Sequence, residues 1–248
     1  MRLSQEPSIT KCKMSDKSIG YIHSFNSLGA VDGPGIRFIV FMQGCPYRCP
    51  YCHNPDTRIF SGGVPYSPLQ VADKAARYRS YFGEKGGVTV SGGEPLCQSE
   101  FVAELFELLH KRGINTCLDT AGVKPDKRVE TVLANTDTVL CDIKFPTEEA
   151  YLKQVGGSLD TTLDFLRLCN KMGVSVIIRH VVVPGMTDTE EDILAIKNIL
   201  SDIKYEKIEL LPFRKLCTQK YKALGIEFPL KDTPECSKET LNKLKALL

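Results

Sequence analysis

The chain has 248 residues, 42% hydrophobic and 25% charged, ordinary values for a globular protein that exclude disorder as the main state. A formal net charge of +2 gives no bulk attraction for nucleic acid, so any polyanion site would have to be a local patch. No apolar run reaches the roughly 18–20 residues that span a bilayer, and the opening MRLSQEPSITKCKMSDKS lacks the apolar core of a secretory signal. The expectation is a cytoplasmic protein whose partners include neither nucleic acid nor membrane.

Residues 1–18 read as a loose leader and residues 19–248 as one domain. IRFIVFMQ (36–43) is the first expected strand, and it runs directly into a cysteine-bearing loop. PLQVADKAARYRSYF (68–82) has helical spacing with a proline near its start. GVTVSG (87–92) is the second strand, followed by a helix over about 99–112 that Gly113 stops. INTCLDT (114–120) and TVLCDIK (138–144) are the third and fourth strands. A helix near 160–172 precedes VSVIIRHVVV (174–183), and another near 189–202 precedes KIELLPF (207–213). The tail KETLNKLKALL (238–248) reads as a closing amphipathic helix.

Strands alternating with helices predict a parallel sheet with right-handed crossovers, α/β in class. The continuous apolar strands suit a sheet covered on both faces. No G-x-G-x-x-G follows the first strand, so an incomplete (β/α)6 barrel fits better than a dinucleotide-binding sheet. In such folds reactive groups gather where strands end. Cys45, Cys49 and Cys52 follow the first strand, Gly92, Gly93 and Glu94 the second, and Asp119 and Thr120 the third. Asp142 and Lys144 close the fourth strand, Arg179 lies late in the fifth, and Arg214 follows the sixth.

Ten cysteines in 248 residues fall below the disulfide-scaffold range of roughly 8–10%. Cys97, Cys117, Cys141, Cys169 and Cys217 stand singly in apolar or helical patterns and read as small buried hydrophobes. Cys12 and Cys236 read as unpaired thiols near the ends. Only GCPYRCPYCHN (44–54) clusters its thiols, as C-x3-C-x2-C. A structural zinc ion wants four ligands, and Cys3His with His53 would supply them. A 4Fe–4S cube held by three cysteines instead leaves one iron open to a small chelating molecule.

The three-cysteine spacing, with the aromatic Tyr51 before the third thiol, resembles the radical S-adenosylmethionine motif. Longer blocks, from about Ser18 to the end, resemble the pyruvate formate-lyase-activating enzymes, a family of glycyl radical enzyme activases. They are IGYIHSFNSLGAVDGPGIRFIVFMQGCPYRCPYCHN, VTVSGGEPLCQ, INTCLDTAG, DTVLCDIK, IIRHVVVPGMTD and KIELLPF. The resemblance implies a partial barrel of the radical S-adenosylmethionine type, with the cluster on Cys45, Cys49 and Cys52. The cofactor's methionine end would chelate the open iron, and one-electron cleavage would release methionine and a 5′-deoxyadenosyl radical. That radical would take hydrogen from a backbone glycine of pyruvate formate-lyase under anaerobic conditions.

The resemblance also implies S-adenosylmethionine contacts at Tyr51, Cys52, His53, Gly92, Gly93, Glu94, Asp142, Ile143, Lys144, Arg179 and Arg214. A monovalent cation would sit on Asp119, Thr120, the Leu140 backbone and Asp142, oxygen donors that suit a hard ion. Whether Arg179 answers the cofactor carboxylate or an aspartate stays open. The loop DGPGIR (32–37) would meet the partner's glycine segment through Asp32 and Gly33. A flavodoxin or ferredoxin would supply the electron to a monomeric enzyme. Two departures stand out: residues 53–90 contain no cysteine, so the ferredoxin-like insert of related activases is absent, and LLPFR places Arg214 where well-known members carry histidine. The remaining alternatives are an activase of another glycyl radical enzyme, such as anaerobic ribonucleotide reductase, a small-molecule radical enzyme, and a non-catalytic zinc adaptor.

Overall fold

A computed structural model describes residues 18–248, so the leader expected over 1–18 lies, apart from Ser18, outside the described residues, as does Cys12. Among the described residues there are eight strands: β1 (Gly20–Gly29), β2 (Arg37–Met42), β3 (Val64–Tyr66), β4 (Gly87–Gly92), β5 (Asn115–Thr120), β6 (Thr138–Asp142), β7 (Ser175–Val182) and β8 (Lys207–Pro212). They form one open sheet in the order β3-β1-β2-β4-β5-β6-β7-β8. The run from β2 through β8 is parallel and corresponds to the six expected strands. β1 and β3 add an antiparallel margin beside β2 that periodicity did not announce. Edges remain at β3 and β8, so the barrel is incomplete, as expected.

Helices α1 (Pro68–Ala76), α2 (Arg79–Phe82), α3 (Ser99–Lys111), α4 (Lys127–Leu133), α5 (Glu148–Ala150), α6 (Leu159–Lys171), α7 (Glu190–Ile199), α8 (Thr218–Ala223) and α9 (Lys238–Lys245) follow in order. The expected helix at 68–82 breaks after Ala76 into α1 and α2. Polar side chains start several of them where four backbone N–H groups would otherwise lack partners. Ser67 with Gln70 and Thr189 with Asp192 form reciprocal capping boxes, while Asp126 and Ser158 cap α4 and α6.

Strand side chains alternate between two environments because successive Cβ atoms point to opposite faces. Val88, Val90, Leu118, Val139, Cys141 and Ile178 join the large core shared with the helices. Cys117, Leu140 and Ile177 form a separate small cluster on the inner face. Above that layer, toward the strand C-termini, the inner face turns polar.

The loop over 30–36 is held against this interior. Thr89 Oγ1 donates to the Asp32 carbonyl at 2.7 Å, and Arg37 Nε donates to Thr89 Oγ1 at 3.0 Å. Arg37 is fully buried yet well partnered, donating also to Asn115 Oδ1 at 2.7 Å and to the Val88 and Pro34 carbonyls at 2.6 and 3.3 Å. A buried guanidinium is tolerable only with such satisfaction.

Candidate active site

The cysteine loop leaves the end of β2 and is tied down by backbone hydrogen bonds. Gly44 N–H donates to Thr57 O at 2.8 Å, Arg48 N–H to Val155 O at 2.8 Å, and Cys52 N–H to Cys49 O at 3.2 Å. Arg58 Nη2 adds a bond to the Cys49 carbonyl at 2.6 Å. All three thiols are free and line a cavity of about 240 Å³ at the C-terminal ends of the strands. Burial pushes the Cys45 thiol up to about 12 and the Cys49 thiol upward as well, with Lys144 partly opposing it at Cys49. Such thiols need cationic charge to ionise, which iron would provide.

The end of β4 wraps over the start of this loop. Gly93 N–H donates to Met42 O at 2.9 Å and Glu94 N–H to Gly44 O at 2.8 Å. Gly92 has φ +106, and a Cβ on Gly93 would lie 2.2 Å from the Gly44 oxygen. The glycine pair is therefore demanded by backbone meeting backbone, besides any ligand it approaches. Glu94 is 1% exposed, and its carboxylate accepts from Leu96 N–H at 3.0 Å, Thr120 Oγ1 at 2.7 Å and Ala121 N–H at 3.0 Å. It braces the end of β5 against the end of β4.

Two aspartates face the cavity from neighbouring strands. Asp119 accepts from Ser91 Oγ at 2.7 Å, and its carboxyl is raised by burial, with Arg179 opposing and Asp142 adding to the rise. Asp142 Oδ2 accepts from Lys144 Nζ at 2.5 Å. Burial would lower that ammonium, but Asp142 and the Cys49 thiol more than reverse it and hold it well above its ordinary value. Arg179 is 6% exposed; its Nε donates to Glu209 Oε2 at 3.3 Å, its Nη1 faces Asp119 Oδ2 at 3.9 Å, and its Nη2 donates to the Val31 carbonyl. Of the two partners left open for Arg179, an aspartate is thus in place.

The cavity gathers Tyr51, His53, Gly92, Gly93, Glu94, Asp119, Thr120, Asp142, Lys144 and Arg179 around the three cysteines. Tyr51 spends its hydroxyl on the Lys144 carbonyl at 3.0 Å. His53 Nε2 donates to the Arg214 carbonyl at 2.9 Å. Among the described residues, no three His, Cys, Asp or Glu side chains are grouped to hold a single metal ion.

Three expected residues are not in the lining. Leu140 lies in the buried layer beneath, and Ile143 is fully buried with its N–H on the Arg179 carbonyl at 2.9 Å. Arg214 sends its guanidinium to the Cys236 carbonyl at 2.6 Å, toward the C-terminal segment. Cys97 also departs from expectation: it is exposed on a short turn, while Cys117, Cys141, Cys169 and Cys217 are buried. Sequence reading missed Ser91 and Glu209; a charge inside the apolar KIELLPF was the available signal for the latter. A larger groove of about 610 Å³ lies beside Leu96–Gln98 but shares none of the three loop cysteines.

A partial barrel with three free thiols on the loop after its first parallel strand, opening on carboxylates and cations at neighbouring strand ends, has the architecture of the radical S-adenosylmethionine class. The model of the Radical SAM superfamily matches residues 39–196. A radical SAM methyltransferase from Sphaerobacter thermophilus superposes with a TM-score of 0.61 at 17% identity, over 86% of this chain and 63% of that one. The pyruvate formate-lyase-activating enzyme of Clostridium pasteurianum is 43% identical over 93% of this chain and 97% of its own. The pyruvate formate-lyase 1-activating enzyme of Escherichia coli K12 is 42% identical over 93% and 95%. The chain belongs to the radical SAM superfamily and, within it, to the family of the pyruvate formate-lyase-activating enzymes.

Proposed function

We propose that this chain activates pyruvate formate-lyase by removing a hydrogen atom from one of its backbone glycines, within anaerobic glucose metabolism. The observation that carries the reading is the convergence of three free thiols of one loop on a cavity floored by Asp119, Asp142, Lys144 and Arg179. That donor set fits a cluster held by Cys45, Cys49 and Cys52, with a carboxylate- and amine-bearing molecule beside it. When bound, the cluster and S-adenosylmethionine supply the one-electron cleavage that yields the hydrogen-abstracting species.

The chain's own residues bind, orient and exclude water. Gly92 and Gly93 offer backbone to the methionine end, with Tyr51 and His53 toward the adenosyl part. Lys144 and Asp142 meet the cofactor as a charge pair in which the carboxylate keeps the ammonium protonated against its burial. Asp119 and Asp142, with Thr120 and a backbone carbonyl of β6, hold a monovalent cation. Arg214, whose carbonyl is joined to His53 while its guanidinium lies on the Cys236 carbonyl, stands beside His53 at the adenosyl end. The loop DGPGIR (32–37), through Asp32 and Gly33, meets the partner's glycine segment, whose Cα must come within about 3–4 Å of the abstracting carbon. The protein works as a cytoplasmic monomer served by a flavodoxin or ferredoxin; among the described residues no helix is long and apolar enough to cross a membrane.

The test is anaerobic reconstitution with iron and sulfide, followed by incubation with S-adenosylmethionine, a reductant and pyruvate formate-lyase deuterated at glycine. A glycyl radical signal and deuterium in 5′-deoxyadenosine are expected. Cofactor cleavage without either would move the reading to a small-molecule substrate, and a colourless zinc protein would end it.

A further inference from the structure

Two guanidinium groups hold the loop over 30–36, and they differ in what fixes them. Arg37 is fully buried, and its donors end on protein acceptors of the sheet, so it is a permanent anchor under Pro34. Arg179 grips the same loop from the cavity side through the Val31 carbonyl, and its other contacts are fewer. Asp119 Oδ2 stands 3.9 Å from Nη1, near enough to attract and too far to hydrogen-bond. Glu209 Oε2, at 3.3 Å from Nε, is the side-chain acceptor within hydrogen-bond distance. A guanidinium is a rigid planar fork, so the contact on Nε sets where Nη2 points. Without Glu209, the attraction of Asp119 would draw the group across the 3.9 Å gap and off Val31.

Glu209 is itself steadied. Its second oxygen accepts from Lys207 Nζ at 2.7 Å along the edge strand, and its carboxyl lies below the ordinary range although burial works the other way, because Lys207 and Arg179 oppose it. The result is a chain of charge from the open edge of the barrel through β8 and β7 to the loop. Where the carbonyl of Val31 is gripped, its side chain is 76% exposed. The contact therefore fixes how the loop is displayed outward.

We propose that Glu209 is a positioning residue for the protein substrate: it orients Arg179 so that Val31 is held, and thereby sets the loop that receives the partner's glycine segment. This rests on the reading above that the loop meets that segment. Glu209 is not among the residues that line the cavity.

The experiment compares Glu209→Gln, Glu209→Asp and Lys207→Gln in the full chain. Amide hydrogen exchange over residues 30–36 is followed without cofactor, and the half-saturating concentration of pyruvate formate-lyase is measured with the reconstituted enzyme. Loss of one charge-assisted bond should speed exchange in the loop and raise the half-saturating partner concentration by about ten-fold in both Glu209 variants. Turnover at saturating partner should fall far less. Lys207→Gln, which leaves the Arg179 contact in place and removes only the support behind it, should move both measurements by much less. Unchanged exchange in both Glu209 variants would overturn the assignment, as would equal effects from Lys207→Gln. Faster exchange with an unchanged partner requirement would overturn the link to substrate. A chain that activates no glycyl radical enzyme would defeat the functional reading, while the exchange measurement would still answer for Glu209.

Discussion

The two faces of the parallel strands, a single residue apart along the chain, obey different rules. On the outer face, Val139, Cys141 and Ile178 are fully buried among helix side chains. Their inward neighbours, the half-buried Asp142 and the buried Arg179, are charged and paired. Cys141 on the outside and Cys45 at the mouth both have thiols raised by burial, so that shift cannot tell a core thiol from a ligand. What separates them is company: Cys45 shares a cavity with two more thiols, two aspartates and two cations, whereas Cys141 meets the core. Burial measures removal from water, and function needs convergence as well.

The sharpest way to break this comparison is to remove thiols from each region. Cys45→Ala, Cys49→Ala and Cys52→Ala should each abolish cofactor cleavage, while Cys169→Ala on α6 retains it. Loss of the cluster in Cys169→Ala, read by iron content and the visible spectrum, would contradict the assignment. Adjacent residues give the next test. Asp142→Ala should weaken S-adenosylmethionine binding by about ten-fold or more, since it strips the half-buried Lys144 ammonium of its partner, and iron should stay in place. Cys141→Ala should leave that affinity alone and cost on the order of 1 kcal/mol of stability in urea unfolding.

A smaller effect concerns the proposed cation. Cofactor cleavage should rise when sodium or potassium is added to enzyme in a cation-free buffer. Indifference to both would reject a site on Asp119 and Asp142. The smallest effect belongs to the outer face, where His180 is fully buried and donates from Nδ1 to the Ile143 carbonyl at 2.7 Å. Burial depresses its pKa below the ordinary value near 6.5, so the unfolded chain binds the proton more readily. Its contribution is present above about pH 6.5 and is lost as pH falls toward the folded value. His180→Gln should flatten the fall in unfolding free energy between pH 7 and 5; equal slopes would show that His180 does not contribute.

Much of this architecture was legible from residues. The parallel strands are apolar runs of ordinary length, and their sequence positions brought the strand-end groups together correctly. β1 was not legible as a strand because GYIHSFNSLG mixes Gly, His, Asn and Ser with its apolar positions, diluting the alternation. β3 has three residues with Pro65 in the middle, tolerable only at an edge. The short helices α4 and α8 present too few turns for a period to register. Within the site, residue types and spacing located the thiols and aspartates. The direction of Arg214 and the depth of Leu140 and Ile143 depend on packing that no local pattern encodes.

The bond from His53 to the Arg214 carbonyl joins residues 161 apart in sequence, and Lys220 reaches Asn54 at 2.8 Å and Asp56 at 3.2 Å nearby. During synthesis at about 5–20 residues per second, the three thiols therefore leave the ribosome roughly ten to thirty seconds before the segment that closes over their loop. Iron–sulfur loading is expected to follow completion of the chain, so that oxidative damage to nascent thiols competes with growth of the polypeptide itself. Chains arrested before β8 should retain less iron on anaerobic reconstitution than chains arrested after α8, and equal iron in the two would refute this order of events.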